Sequence, residues 1–276
     1  MTTNKLQEFL APINMTYPNK EALIDQAVEA IDSKKVHVLG FSGKKASGKD
    51  TFAGMFMERF EKSGLKAEDV PLSLGIRAEA TMMFSEIYGW LNRPGSVTQD
   101  SFIAELAEKT DIEIAQAEYI VETMLPVITS QGAVTGWARD NEITAVLQFL
   151  GNEVRLPKDQ LYWVRKSLWT VAVNAVNGVS SFNPSLRFLH DADSLKDVGG
   201  YLIRLEVSSE KQAERLLSRD GVVVPPETLN HPSETALDAY KGFDGVYENN
   251  DDEVKPVFKQ MWTDWAKEAG HFSRIL

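Results

Sequence analysis

The sequence predicts an α/β fold with three layers, a central parallel sheet and a helical insertion. Three observations carry this. Residues 36–41, Val-His-Val-Leu-Gly-Phe, form a short apolar run bounded by glycine, the pattern of a buried strand. A glycine-rich turn follows from Gly43 to Gly48, and then Phe52, Met55, Phe56 and Phe60 recur at helical spacing. Strand, glycine loop and helix open a βαβ unit. Further on, Gly199-Gly200 leads into a second strand-like run at 201–207, followed by a helix at 209–219.

In chain order, residues 1–34 read as an N-terminal helical leader with its helix at about 20–31, and residues 35–276 as the main domain. A strand is expected near 67–74. Helices are expected at 77–90, 99–109, 112–128, 141–150 and 160–176, with the insertion at about 95–138. In the helix around Ile114, the residues Ala117, Val121, Met124 and Leu125 make one apolar stripe. The proline-rich stretch at 222–231 reads as irregular. A C-terminal helix aligns Val254, Val257, Phe258, Met261 and Trp265.

Composition narrows the function. The 276 residues suffice for one sizeable α/β domain with insertions. Hydrophobic residues make up 43% and charged residues 25%, and the absence of cysteine excludes a disulfide framework and a thiolate metal site. No apolar run reaches bilayer length and the first ten residues lack a signal-peptide core, so the expectation is a cytoplasmic protein without membrane contact. A net charge of −11 disfavours a nucleic-acid polymer as partner. A small nucleotide can still bind in a local cationic pocket.

That pocket is written at Gly43-Lys44-Lys45-Ala46-Ser47-Gly48-Lys49-Asp50-Thr51, which fits G-x-x-x-x-G-K. Glycines let backbone N–H groups turn inward and line an anion nest, and the following helix adds its positive end. Lys49 can reach the β- and γ-phosphates. Asp50 stands where a serine or threonine is usual. Its carboxylate, or the Thr51 hydroxyl, could ligate Mg²⁺, which takes oxygen ligands; a helix-dipole charge is the alternative for Asp50.

The loop resembles that of the bacteriophage deoxynucleoside monophosphate kinases, although the phosphomevalonate kinases of animals have a similar Ser-Gly-Lys-Asp loop. Further runs resemble the phage family: Leu147 to Glu153 with its Leu-Gln-x-Leu-Gly core, Tyr162-Trp163-Val164, Leu186-Arg187-Phe188 with Asp191-Ala192, His231 to Leu237, and Glu248-Asn249-Asn250. The resemblance covers about residues 36–90 and 140–260. It implies a P-loop kinase fold of the adenylate-kinase type that uses ATP and Mg²⁺ to phosphorylate deoxynucleoside monophosphates. If the chain is phage-encoded, the compartment is the host cytoplasm. Two positions depart from the family: Ser185 replaces an acid before Arg187, and His190 replaces an asparagine.

Phosphoryl transfer requires positioning and positive charge. Arg215 and Arg219 lie four apart on one expected helix, ahead of Pro225-Pro226, and could act on the transferring phosphoryl from a lid. A solvated face paired with Glu210 or Glu214 is the alternative. Arg187 is a candidate monophosphate clamp and Arg77 a candidate acceptor contact. Trp137 and Arg139 could stack on a base and hydrogen-bond it. Glu153 and Asp159 could orient arginines or the metal, and the resemblance adds Trp163 to the substrate-binding set. His231 reads as structural and Ser233 as a helix cap.

Residues 101–128 also resemble the helical hairpin of histone-like nucleoid proteins. One lysine among many carboxylates argues against DNA contact there, and two packed amphipathic helices covering the acceptor or forming a homodimer interface fit better. Two other functions remain open at this stage: phosphoryl transfer to another small acceptor such as phosphomevalonate, and a non-catalytic nucleotide-binding or DNA-associated protein.

Overall fold

The computed structural model describes residues 5–12, 19–93, 95, 97–138, 140–221, 229 and 232–270. Arg139, His231 and all but one residue of the proline-rich stretch at 222–231 lie outside them, as does the side chain of Ser233. The chain divides into two compact units: Met1–Leu72 with Val164–Leu276, and Ser73–Trp163.

The first unit is α/β. Helices α1 (Leu6–Leu10) and α2 (Lys20–Asp32) precede strand β1 (Val38–Gly43). Helix α3 (Lys49–Lys62) and strand β2 (Lys66–Asp69) follow. Helices of the other unit intervene, and then come α8 (Tyr162–Val176), β3 (Val179–Leu186), α9 (Leu189–Asp197) and β4 (Tyr201–Glu206). Helix α10 (Ser209–Asp220), the short α11 (Pro232–Thr235), β5 (Gly245–Glu248) and α12 (Val254–Glu268) complete the described elements.

The five strands form one parallel sheet in the order β2-β3-β1-β4-β5. β1 is therefore central. Its first connection passes outward beyond β3, while the β3-to-β4 connection crosses to its other side. Parallel α/β sheets bind ligands at such a reversal, beyond the strand C-termini. The glycine-rich loop leaves β1 at that point.

Alternation along the strands separates two faces. Leu39, Phe41, Phe182, Ile203 and Leu205 pack with Phe52, Phe56 and Phe60 of α3 and with Met261, Trp262 and Trp265 of α12. Ser42 and Arg204 point to the opposite face, where α9 packs on β1 and β4.

Two strands went unread in the sequence. β3, Val-Ser-Ser-Phe-Asn-Pro-Ser-Leu, has poor strand composition, yet it pairs on both sides, with β1 and β2. Its irregularity falls where Pro184, which has no N–H, and Ser185 stand opposite the single residue Phe41. β5 spans only four residues. The strand expected at 67–74 is shorter, because α4 already begins at Ser73.

The second unit is helical. It contains α4 (Ser73–Leu91), α5 (Gln99–Thr110), α6 (Ile114–Gln131) and α7 (Asn141–Phe149), and then a π-helical turn at Leu150–Arg155. Thr98 caps α5 by accepting the Ser101 N–H at 3.3 Å, and Asp140 caps α7 by accepting the Glu142 N–H at 2.9 Å. Met83, Phe84, Ile87, Leu106, Ile120 and Met124 are among its buried residues. The hairpin read at 101–128 corresponds to α5 and α6, and its lysine, Lys109, is paired with Glu86 at 2.5 Å. Among the described residues, no helix is long and apolar enough to cross a membrane.

Candidate phosphate-binding site

The loop from Gly43 to Gly48 connects the central strand to the first turn of α3. Gly43 has φ 155° and Gly48 φ 91°, while Ala46 takes φ 61°. Both glycines are needed for space as well as conformation. A Cβ on Gly43 would run into Ser47 Oγ, and one on Gly48 would lie 2.7 Å from Asn249 Nδ2. The Ser47 N–H donates to the Lys44 carbonyl at 3.0 Å, closing the turn.

Lys49 opens α3 and is only 9% exposed. Burial lowers its pKa below the ordinary lysine range; Arg187 and Arg219 add to this, while Asp50 and Glu234 oppose it. Asp50 Oδ2 lies 3.9 Å from Lys49 Nζ, with its side chain 80% exposed. At the end of β2, partial burial and the charge of Asp50 hold the Asp69 carboxyl above its ordinary range.

A cavity of about 460 Å³ opens beside the loop. Lys49, Asp50, Thr51, Arg215, Arg219 and Asn249 line it. α10 presents both of its arginines there. Ser208 caps that helix by accepting the Lys211 N–H at 3.2 Å. Arg215 also donates to the carbonyls of Ala46, at 3.3 Å, and Asp251, at 2.9 Å. Asn249 Nδ2 donates to the Ser47 carbonyl at 2.8 Å, and Gln212 Nε2 to the Lys45 carbonyl at 2.8 Å. These contacts turn loop carbonyls toward the protein.

The start of the loop is held by ion pairs. Arg204 is 5% exposed; it donates to Ser42 Oγ at 3.0 Å and to Asp238 Oδ1 at 2.6 Å. The other oxygen of Asp238 takes Lys44 Nζ at 2.9 Å. Glu234 Oε2 accepts the Lys45 N–H at 2.6 Å, and its Oε1 accepts Arg187 Nη1 at 2.7 Å. Ser185 donates to Asn183 Oδ1 at 3.1 Å and accepts the Leu72 N–H at 3.3 Å.

The other expected substrate contacts belong to the second unit. Arg77 donates to the Gly136 carbonyl at 2.6 Å, and its guanidinium lies 5.1 Å above the ring of Trp137, which is 51% exposed. Glu153 is exposed on the π turn. Trp163 is buried and its indole N–H faces the Gly151 carbonyl at 3.4 Å. Asp159 Oδ1 accepts the Leu161 N–H at 2.9 Å.

Sequence reading missed Arg204 and Asp238. A charged residue inside the run 201–206 was the available signal for the first, since an arginine in a central strand needs a partner. Glu234 and Asn249 were noticed only as parts of resembling runs. No protein-family model matches the chain, and no curated protein matches it.

Proposed function

We propose that the chain is an ATP-dependent kinase that transfers the γ-phosphoryl group to a deoxynucleoside 5′-monophosphate. The observation that carries this reading is the convergence of Lys49, Arg215 and Arg219 on a cavity beside a glycine-rich loop at the C-terminal end of the central strand, with Arg187 linked to the same loop through Glu234. A nest of backbone N–H groups, a helix N-terminus and several cations form the set needed to hold a triphosphate. The same cations would stabilise charge that develops on the transferring oxygens. The cavity beside the loop has room for the nucleoside, and the choice of a deoxynucleotide acceptor rests on the resemblance.

Mg²⁺ fits the same turn. Among the described residues, no group of three His, Cys, Asp or Glu is placed to hold a metal ion. Asp50 and Thr51 offer exposed oxygens at the start of α3. One or two protein oxygens plus phosphate oxygens are the usual Mg²⁺ set. The ion would neutralise the phosphates, while Lys49 and the arginines orient them.

The experiment is ADP release from ATP and Mg²⁺ with dGMP, dTMP, dCMP or dAMP, compared with the ribonucleotides. Phosphorylation of at least one deoxynucleotide above every ribonucleotide is expected. Lys49→Ala should fall about a hundredfold or more while still folding cooperatively, because Lys49 lines the cavity beside the loop. Near-normal turnover in Lys49→Ala would remove the phosphate-loop assignment. Ribonucleotides preferred throughout would remove the acceptor assignment alone.

A further inference from the structure

The loop site contains an anion of its own. Glu234, on the short helix α11, is 9% exposed. Its carboxylate spans a backbone N–H of the loop, at Lys45, and the guanidinium of Arg187. Its charge also reaches Lys49. A loop N–H, a guanidinium and the loop lysine are the donor set that a phosphate group recruits. Here a carboxylate takes up two of those donors.

We propose that Glu234 is an exchangeable counter-ion, a tethered carboxylate that occupies the anion seat until a phosphate group displaces it. The inference rests on reading the loop as a phosphate site. Lys49 is nearly buried and feels the charges of Arg187 and Arg219, so a seat without any anion would leave its ammonium poorly solvated under like-charge repulsion. Glu234 relieves that repulsion. A phosphate group carries more charge and an additional oxygen, and can replace the carboxylate on the same donors. The exchange has an entry route, because the Arg187 side chain is 40% exposed. It also has a cost. A tethered group acts at high effective concentration, so the apparent affinity for phosphate falls by the fraction of time the seat is filled.

The alternative is that Glu234 permanently orients Arg187 for its work. The two roles predict opposite signs. The test is calorimetric titration of the full chain with inorganic pyrophosphate, using wild type, Glu234→Gln, Glu234→Asp and Lys49→Ala. Glu234→Gln keeps the shape and loses the charge. It should bind pyrophosphate about tenfold more tightly, about 1.4 kcal/mol, and melt lower without ligand but gain more from it. Glu234→Asp, with a charge on a shorter arm, should fall between. Equal or weaker binding by Glu234→Gln, with wild type still binding, overturns the counter-ion and leaves the phosphate loop standing. Pyrophosphate that binds neither protein, or binds Lys49→Ala as well as wild type, overturns both.

Discussion

Arg155–Glu79 in the helical unit and Arg187–Glu234 in the α/β unit are both built on a buried carboxylate, with side-chain exposures of 9% and 8%. Their arginines differ: 6% exposed against 40%. Arg155 is closed on every side. It donates through Nε and Nη2 to Glu79 Oε1, at 2.9 and 2.5 Å. It also donates to the carbonyls of Asp111 and Thr110 at the end of α5, at 2.8 and 2.6 Å. Its guanidinium lies 5.0 Å from the ring centre of Tyr162, whose hydroxyl donates to Glu79 Oε2 at 3.1 Å. Burial, and then the Glu79 charge, push that tyrosine up to about 12. The same two residue types thus serve as a helix-end clamp in one unit and a partly exposed contact beside the glycine-rich loop in the other. Exposure of the cation, rather than burial of the acid, separates the two pairs.

The comparison breaks first at Arg155. Arg155→Met removes the partner of a buried carboxylate and uncaps α5, so a loss of about 3–5 kcal/mol is expected, read by denaturant unfolding. The double change with Glu79→Met should recover much of it, because no buried charge is then left alone. A midpoint unchanged in the single variant would mean that the closed pair is no clamp.

Arg215 and Arg219 test the open side. If they act on the transferring phosphoryl, Arg215→Ala and Arg219→Ala should each lower kcat roughly a hundredfold, about 2.7 kcal/mol, with little change in ATP affinity. An exposed pair would be worth at most about 1 kcal/mol of stability and nothing in turnover. Rates within about twofold of wild type in both variants, a few tenths of a kcal/mol, would assign these arginines to the surface. Arg215 is the more informative, since it also holds the Ala46 and Asp251 carbonyls. A loss in stability larger than the loss in kcat would make it a brace for the loop.

What the sequence made legible follows the same division. The loop, its flanking strand and α3 were readable because glycine spacing and helical periodicity are local signals. The α5 and α6 helices were readable for the same reason. β3 was not, because its serines, Asn183 and Pro184 describe a loop, and only pairing with two neighbouring strands makes it a strand. Glu234 and Asp238 sit about 190 residues beyond the loop residues they hold. No spacing rule connects such positions. The Arg155 clamp was likewise hidden, since its partners at Glu79 and Thr110 come from separate helices.

A third pair sets the lower limit of the comparison. His190 Nε2 lies 3.0 Å from Asp191 Oδ1, with the imidazole 42% exposed and stacked on Phe188 at 5.6 Å. The hydrogen bond that His190 donates to Asp191 is the main cause that raises the His190 pKa above 6.5; burial opposes it, and the charges of Asp191 and Asp193 support it. A raised pKa means that folding favours the charged imidazole. The stabilisation is therefore complete below about pH 6.5 and is lost as pH rises through the higher folded-state value. With the ring this exposed, solvent screening limits the effect to at most about 1 kcal/mol, roughly 2–4 °C in melting temperature. Asp191 should not lose its other task, because its second oxygen accepts the N–H groups of Phe188, at 3.0 Å, and Arg187, at 3.3 Å, whatever the charge on His190. The measurement is the melting temperature of wild type and His190→Gln from pH 5 to 8. The two curves should separate at low pH and converge at high pH. A constant offset would mean that the ring contributes through its stacking on Phe188, and a gap that widens with rising pH would reverse the assigned sign.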